Sequence, residues 1–185
     1  MTGSVYQGKC RANTFESTKR DYSIRVRVTD SELVVTDRIE GELRWHLSKD
    51  VGDFIVRRKD GLFAYQLAVV VDDAFQGVTD IVRGNDLIDS TPRQVYLARC
   101  LGYQEPVWCH IPVVVDDKGN KLSKQNHAPP IETGDVLSLI GRALSALGQT
   151  PAPHARNIDD LLAHAVQHWD AARIPRVRQI EYSSL

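Results

Sequence analysis

Three observations predict an α/β fold with a small helical region at the C-terminal end. Between Tyr22 and residue 130, apolar stretches of strand length alternate with turn residues and one helical pattern. That helical pattern has a start, Thr91-Pro92, and a stop, Gly102. After Pro129-Pro130, apolar residues recur at helical rather than strand spacing.

The first dozen residues carry neither a capping signal nor an apolar period. From Tyr22 onward, Ile24, Val26 and Val28 interleave with Arg25, Arg27 and Thr29, the period of a half-exposed strand. Leu33 to Thr36 forms a second short strand, and Trp45 to Val51 fits neither period. Phe54 to Arg58 leads into Lys59-Asp60-Gly61 and then Leu62 to Tyr65, a hairpin signal because glycine tolerates positive φ. The continuous apolar run Leu67 to Val71 reads as the return strand, buried on both faces and ended by Asp72-Asp73. Val78 to Arg83 is a further strand, stopped by Gly84. The helix capped by Thr91 continues from Gln94 to Leu101, and Val107 to Val115 returns to strand. Asp117-Lys118-Gly119-Asn120 is a turn, followed by the lysine-rich loop Lys121-Leu122-Ser123-Lys124-Gln125. Leu137, Ile140, Leu144 and Leu147 define one C-terminal helix ending at Gly148. Asn157 caps a second, whose face is Ile158, Leu161, Leu162, Ala165, Val166 and Trp169.

With 185 residues, 42% hydrophobic and 25% charged, the chain is long and apolar enough for a folded core. No apolar run reaches the ~20 residues of a membrane-spanning helix, and the start carries no signal-peptide pattern, so a soluble, cytoplasmic protein is expected. Cys10, Cys100 and Cys109 are odd in number and form no Cys-x-x-Cys pair, which fits a reducing compartment. The net charge of -1 gives no global attraction to nucleic acid, although Arg57-Arg58-Lys59 and Arg173, Arg176 and Arg178 are local basic runs.

Lys121 and Lys124 are compact cations on flexible stems that could follow phosphate charge, with Ser123 as a hydroxyl donor; a solvated loop is the plainer reading. Arg83 closes a strand beside Gly84, where its guanidinium could pair with a ligand carboxylate or with Asp80, Asp86 or Asp89. Tyr65 lies in an otherwise apolar strand, suited to core packing with its hydroxyl at a rim or to ligand contact. Tyr6 and Cys10 could ligate a metal, but zinc wants about four ligands. His127 follows the lysine loop, while His46, His110, His154, His164 and His168 show no ligand spacing. No nucleophile elbow, P-loop pattern or Ser-His-Asp arrangement is present.

The stretches DFIVRRKDGLFAYQLAVVVDDAFQGVTDIVRGNDLIDSTPRQ and KLSKQNHAP resemble the glutamyl-tRNA synthetase family of class I enzymes, most strongly from Asp53 to Pro129. Within it, Gln125-Asn126-His127 and the 60 residues after Gln125 fit the short branch that acts on queuosine in tRNA(Asp). The resemblance implies the C-terminal half of a Rossmann-like catalytic domain. Its segments would be 1–21, a remnant of a zinc-binding insertion; 22–130, catalytic; and 131–185, helical. KLSKQ would be the family's KMSKS-type loop, with Lys124 catalytic and Lys121, Ser123 and Lys124 binding ATP. Tyr65 and Arg83 would bind glutamate, and Tyr6 and Cys10 would be half of a zinc site.

The implied substrates are ATP with Mg2+, glutamate and queuosine-bearing tRNA(Asp), in a monomeric enzyme without membrane contact. The family's HIGH-type loop and its first two zinc cysteines have no counterpart in the sequence, so the chain by itself is expected to be inactive. Two other readings are a fragment of a synthetase that charges tRNA(Glu), and a non-catalytic tRNA-binding remnant.

Overall fold

The structure is a computed structural model that describes residues 5, 6, 8, 9, 11, 22–123, 133–152 and 154–184. The chain divides into two compact units, one from Met1–Ile81 and Leu87–Trp108, the other from Val82–Asp86 and Cys109–Leu185.

In the first unit, β1 (Ile24–Val26) pairs antiparallel with β4 (Phe54–Arg57). β2 (Glu32–Asp37) and β3 (Gly41–His46) form a hairpin in unbroken register from Glu32↔His46 to Asp37↔Gly41. The hairpin turns where it does because the buried Asp37 carboxylate accepts the N–H groups of Ile39 and Glu40 at 2.9 and 3.0 Å. Gly41 supplies the positive φ of 79°. β3 was hidden in sequence because four of its six residues are Gly-Glu-Leu-Arg, ahead of the aperiodic stretch from Trp45. Leu47–Val51 is a π-helical turn.

The expected turn at Asp60-Gly61 is present: Arg58 N–H donates to Leu62 O at 2.8 Å, and Gly61 has φ +87°. The return strand is not. It shrinks to a single bridge, Arg57↔Phe63, and the chain then enters a helix, α1 (Tyr65–Gln76). A short apolar run fits a buried strand and a buried helix equally well, and the valines 69–71 favour strand locally. Packing decides otherwise. Leu67, Val69 and Val70 turn to the core while Val71 and Phe75 are exposed, and Gly77 stops the helix in the left-handed region.

α1 packs on α2 (Thr91–Leu101), whose cap position is Ser90 rather than the expected Thr91, which is the first helical residue; Pro92 lies in the first turn and Gly102 is the stop. The core joins Leu33, Val35, Leu47, Val51, Phe54, Val70, Val95, Leu97 and Trp108. Each fully buried side chain of this kind is worth about 1.5–3 kcal/mol. A four-stranded sheet has the order β3-β2-β6-β5, where β5 is Asp80–Gly84 and β6 is Val107–Ile111. β2 and β6 are parallel at Asp37↔Trp108. Both β5 and β6 begin in the first unit and end in the second.

The second unit adds β7 (Val113–Val115), α3 (Val136–Ala146), α4 (Ile158–Gln167) and β8 (Gln179–Glu181). Pro112 separates β6 from β7, so the single strand expected over 107–115 is two. Leu144, Leu161 and Ala165 form the helical core, against Leu137 and Ile140. Asn157 caps α4 as expected, its side chain accepting Asp160 N–H at 2.8 Å. Helices dominate after residue 136, but β8 pairs in parallel with β7, Val113↔Gln179 to Val115↔Glu181.

Candidate functional site

Arg83 stands in β5 and His110 in the neighbouring β6, and both belong to the second unit. Side chains alternate along a strand, so Arg83 shares its face of β5 with Ile81, and His110 shares its face of β6 with Trp108. Arg83 is half-buried and His110 is 0% exposed. The guanidinium Nε–H donates to His110 Nε2 at 3.0 Å. An arginine side chain has no acceptor and does not deprotonate. The ring nitrogen facing it must therefore carry a lone pair, which puts the proton of a neutral imidazole on Nδ1.

Gly84 follows because nothing larger fits. A Cβ there would lie 2.5 Å from Asp86 Oδ1 and 2.9 Å from Val113 Cγ1. Two of the three carboxylates weighed as partners of Arg83 hold other cations: Asp80 pairs with Arg38 at 2.5 Å, and Asp86 with Lys121 at 2.7 Å.

The Lys121–Asp86 pair brings the start of the lysine loop back to the segment just after Arg83. Residues 116–120 aim it. The Asp116 carboxylate accepts the N–H groups of Lys118 and Asn120 at 2.9 and 2.7 Å, and the Asn120 bonds above all hold its pKa below the usual carboxylate value. Lys121 then bridges to Val115, and Leu122 N–H donates to Val114 O at 3.0 Å. Ser123 is half-buried. Lys124, Gln125 and His127 lie outside the described residues.

Tyr65 belongs to the first unit, at the start of α1 rather than in a strand, and is 54% exposed. Its helical neighbour Gln66 donates to Ser90 Oγ at 3.0 Å. Sequence reasoning passed over His110 and weighed Asp86 only as a partner for Arg83. The available signal for His110 was a histidine inside a strand otherwise apolar, Val107-Trp108-Cys109-His110-Ile111, where burial demands a polar partner.

The described residues do not fit a zinc site. Among them, no group of three or more His, Cys, Asp or Glu could hold a metal ion, and Cys10 lies outside them. Tyr6 is half-buried with the Arg25 guanidinium over its ring, 4.2 Å from the centroid, an arrangement for a cation–π contact rather than a ligand. Among the described residues, no helix is long and apolar enough to cross a membrane.

Comparison with known proteins gives this geometry a setting. Residues 4–138 match the family described as tRNA synthetases class I (E and Q), catalytic domain. A glutamyl-Q tRNA(Asp) synthetase of Pseudomonas aeruginosa is 48% identical over 174 residues, 93% of this chain and 59% of the relative. That of Pseudomonas fluorescens is 46% identical over 183 residues, 98% of this chain and 61% of the relative. The chain thus spans about three fifths of the length of these curated relatives.

In fold it is similar to the glutamate-tRNA synthetase of Elizabethkingia anophelis, with TM-score 0.66 and 19% identity over 86% of this chain and 37% of that one. The glutamate tRNA ligase of Elizabethkingia meningosepticum, solved in complex with its amino acid, gives 0.67 and 20%, over 88% and 36%. With nearly three quarters of its length matched, and with strands and helices in that arrangement, the chain belongs to the class I (E and Q) tRNA synthetase family.

Proposed function

We propose that this chain supplies part of an enzyme that activates glutamate with ATP and transfers it to queuosine in the anticodon of tRNA(Asp). The observation that carries the reading is the 46–48% identity, over nearly all of the chain, to relatives bearing that name. In the first step the glutamate carboxylate attacks the α-phosphate of ATP, giving glutamyl-adenylate and pyrophosphate. In the second, a hydroxyl of the cyclopentenediol of queuosine takes the acyl group and AMP leaves.

No protein nucleophile is required, so catalysis rests on positioning and charge stabilisation. Arg83 grips a carboxylate of glutamate, and Tyr65 lines the amino acid. Lys121, Ser123 and Lys124 carry the phosphates, with Lys124 following the charge that develops on pyrophosphate. Mg2+ accompanies ATP and neutralises phosphate charge. In this reading Asp86 serves as the internal counter-ion of Lys121, 2.7 Å away, which the phosphates displace. A cytoplasmic setting fits a tRNA substrate.

The fold likeness to glutamate-tRNA synthetases supports a second reading, in which the acceptor is the 3′ end of tRNA(Glu). The test joins this chain, as one polypeptide, to the portion of the Pseudomonas aeruginosa relative that it does not span. Glutamate-dependent ATP–pyrophosphate exchange is expected in the fusion and not in the 185-residue chain. Labelled glutamate should then appear on queuosine-bearing tRNA(Asp). Transfer to tRNA(Glu) instead would select the second reading, and a folded fusion without exchange would overturn both.

A further inference from the structure

We infer that the segment from Arg173 to Arg178 is an RNA-binding surface, whose exposed guanidiniums hold phosphates of a tRNA backbone. For the identity of its partner the inference rests on the reading of a tRNA as substrate. It adds the surface that receives that RNA, which the reading leaves unassigned.

The chain has a net charge of -1, so a grip on phosphate depends on where cations stand without counter-ions. In the first unit they are mostly compensated: Arg38, Arg44 and Arg99 hold the carboxylates of Asp80, Glu42 and Glu105. The pattern changes toward the C-terminal end. Arg142 donates to the Tyr182 hydroxyl and Arg173 to Thr150 Oγ1 at 3.0 Å, neutral partners that leave the positive charge uncompensated. Arg176 and Arg178 are exposed, and among the described residues their side chains form no ion pair or hydrogen bond. Residues 171–185 contain these three arginines and a single acid, Glu181. The other basic run differs: Arg57 donates to Gly61 O at 3.3 Å, and Arg58 pairs with Asp60 at 2.6 Å.

The segment is also fixed in place. Ile174 is buried, and just beyond the segment β8 pairs with β7, with Val113 N–H donating to Arg178 O at 3.1 Å. Cations on a backbone held at both ends lose less freedom on binding than cations on a free tail. What borders the arginines favours RNA over an acidic peptide. In sequence they lie between Trp169 and Tyr182, 46% and 42% exposed. Exposed aromatic rings are platforms for unstacked bases, and the Arg142 guanidinium, 5.4 Å from the Tyr182 ring centroid, adds a further cation there.

The test uses the full chain, with a fluorophore-labelled transcript of tRNA(Asp) as probe, titrated by anisotropy at several KCl concentrations. Arg176→Ala/Arg178→Ala should weaken binding about tenfold near physiological salt. It should also reduce the slope of log K against log [KCl] by about 1–2, the mark of lost phosphate contacts. Arg176→Lys/Arg178→Lys, which keeps both charges, should recover most of the affinity. Arg44→Ala/Arg99→Ala changes the net charge equally but removes cations that already hold carboxylates, and should stay within about twofold of the parent. Circular dichroism shows that each variant is folded; if the alanine pair is not, Arg176→Gln/Arg178→Gln decides.

Unchanged affinity and slope in the alanine pair, or an equal loss in Arg44→Ala/Arg99→Ala, overturns the inference. A parent chain that binds no tRNA overturns it too. So does a parent that binds polyglutamate as tightly as tRNA, which would assign the arginines to an acidic protein. The enzyme reading is judged separately, by pyrophosphate exchange in the fused polypeptide without RNA. Exchange with no RNA binding at these arginines leaves that reading standing, and RNA binding with no exchange removes it while the surface remains.

Discussion

Asp53 is 5% exposed and takes two bonds from Arg11, at 2.6 and 2.5 Å, with a third from the Val28 N–H at 3.0 Å. The Arg11 bonds hold its pKa below the ordinary carboxylate value, against burial, which pushes the other way. The unfolded chain therefore binds a proton at Asp53 more readily than the folded one does. The stabilisation is complete above the usual carboxylate pKa of about 4 and is lost as pH falls through the lower folded value. Arg11→Ala should shift the acid-unfolding midpoint, followed by circular dichroism, to higher pH. An unmoved midpoint would show that the pair contributes nothing. Lys124 carries the other prediction at this scale. In the fused polypeptide, Lys124→Ala should slow pyrophosphate exchange by about 10²–10³-fold, through kcat more than KM. A rate within twofold of the parent would remove Lys124 from the chemistry.

Among the elements, the turn after α3 is held by backbone contact. Gly148 has φ +67°, and a Cβ there would lie 2.1 Å from the Arg173 carbonyl oxygen. Gln149, 5% exposed, bonds the same neighbourhood by donating to Leu147 O and Asp170 O and accepting from Asp170 N–H. Gly148→Ala should cost about 2–4 kcal/mol, since both φ and the neighbouring backbone must shift. Thermal unfolding should show Tm lower by roughly 4–16 °C; no change would mean the turn has room to move. Helices with local punctuation were legible: Pro92 and Gly102 bound α2, and Asn157 starts α4. α1 was not, because Leu67 to Val71 has no period to separate strand from helix and no polar cap at Ala64. The candidate site was legible at Arg83 and Lys121, whose charges stand out in their surroundings. His110 and the Asp86 counter-ion were not, because each acquires its role from a residue 27 or 35 positions away.

Across the chain, the clearest long-range closure is β8 against β7, joining positions 66 residues apart in parallel register. Val113 N–H also donates to Arg178 O at 3.1 Å. A chain ending at Arg178 keeps that bond and loses β8. The Val115 amide, which the parallel register turns toward β8, should exchange with solvent about tenfold faster or more, read by hydrogen-exchange mass spectrometry. Protection equal to that of the full chain would mean the pairing contributes little.

From the residues alone came the α/β class, the stop of α2 at Gly102, the cap of α4 at Asn157, the turn at Asp60-Gly61, and membership of a synthetase family through long unbroken strings around Tyr65, Arg83 and the lysine loop. These depend on local chemistry or on order along the chain, which a sequence displays directly. Only the tertiary structure decided that Leu67 to Val71 is helix, that Gln179–Glu181 is strand, and that a buried histidine holds Arg83 by its Nε. Each of these outcomes belongs to a partner far away in sequence, and free energy of packing and of buried hydrogen bonds exists only once that partner is in place.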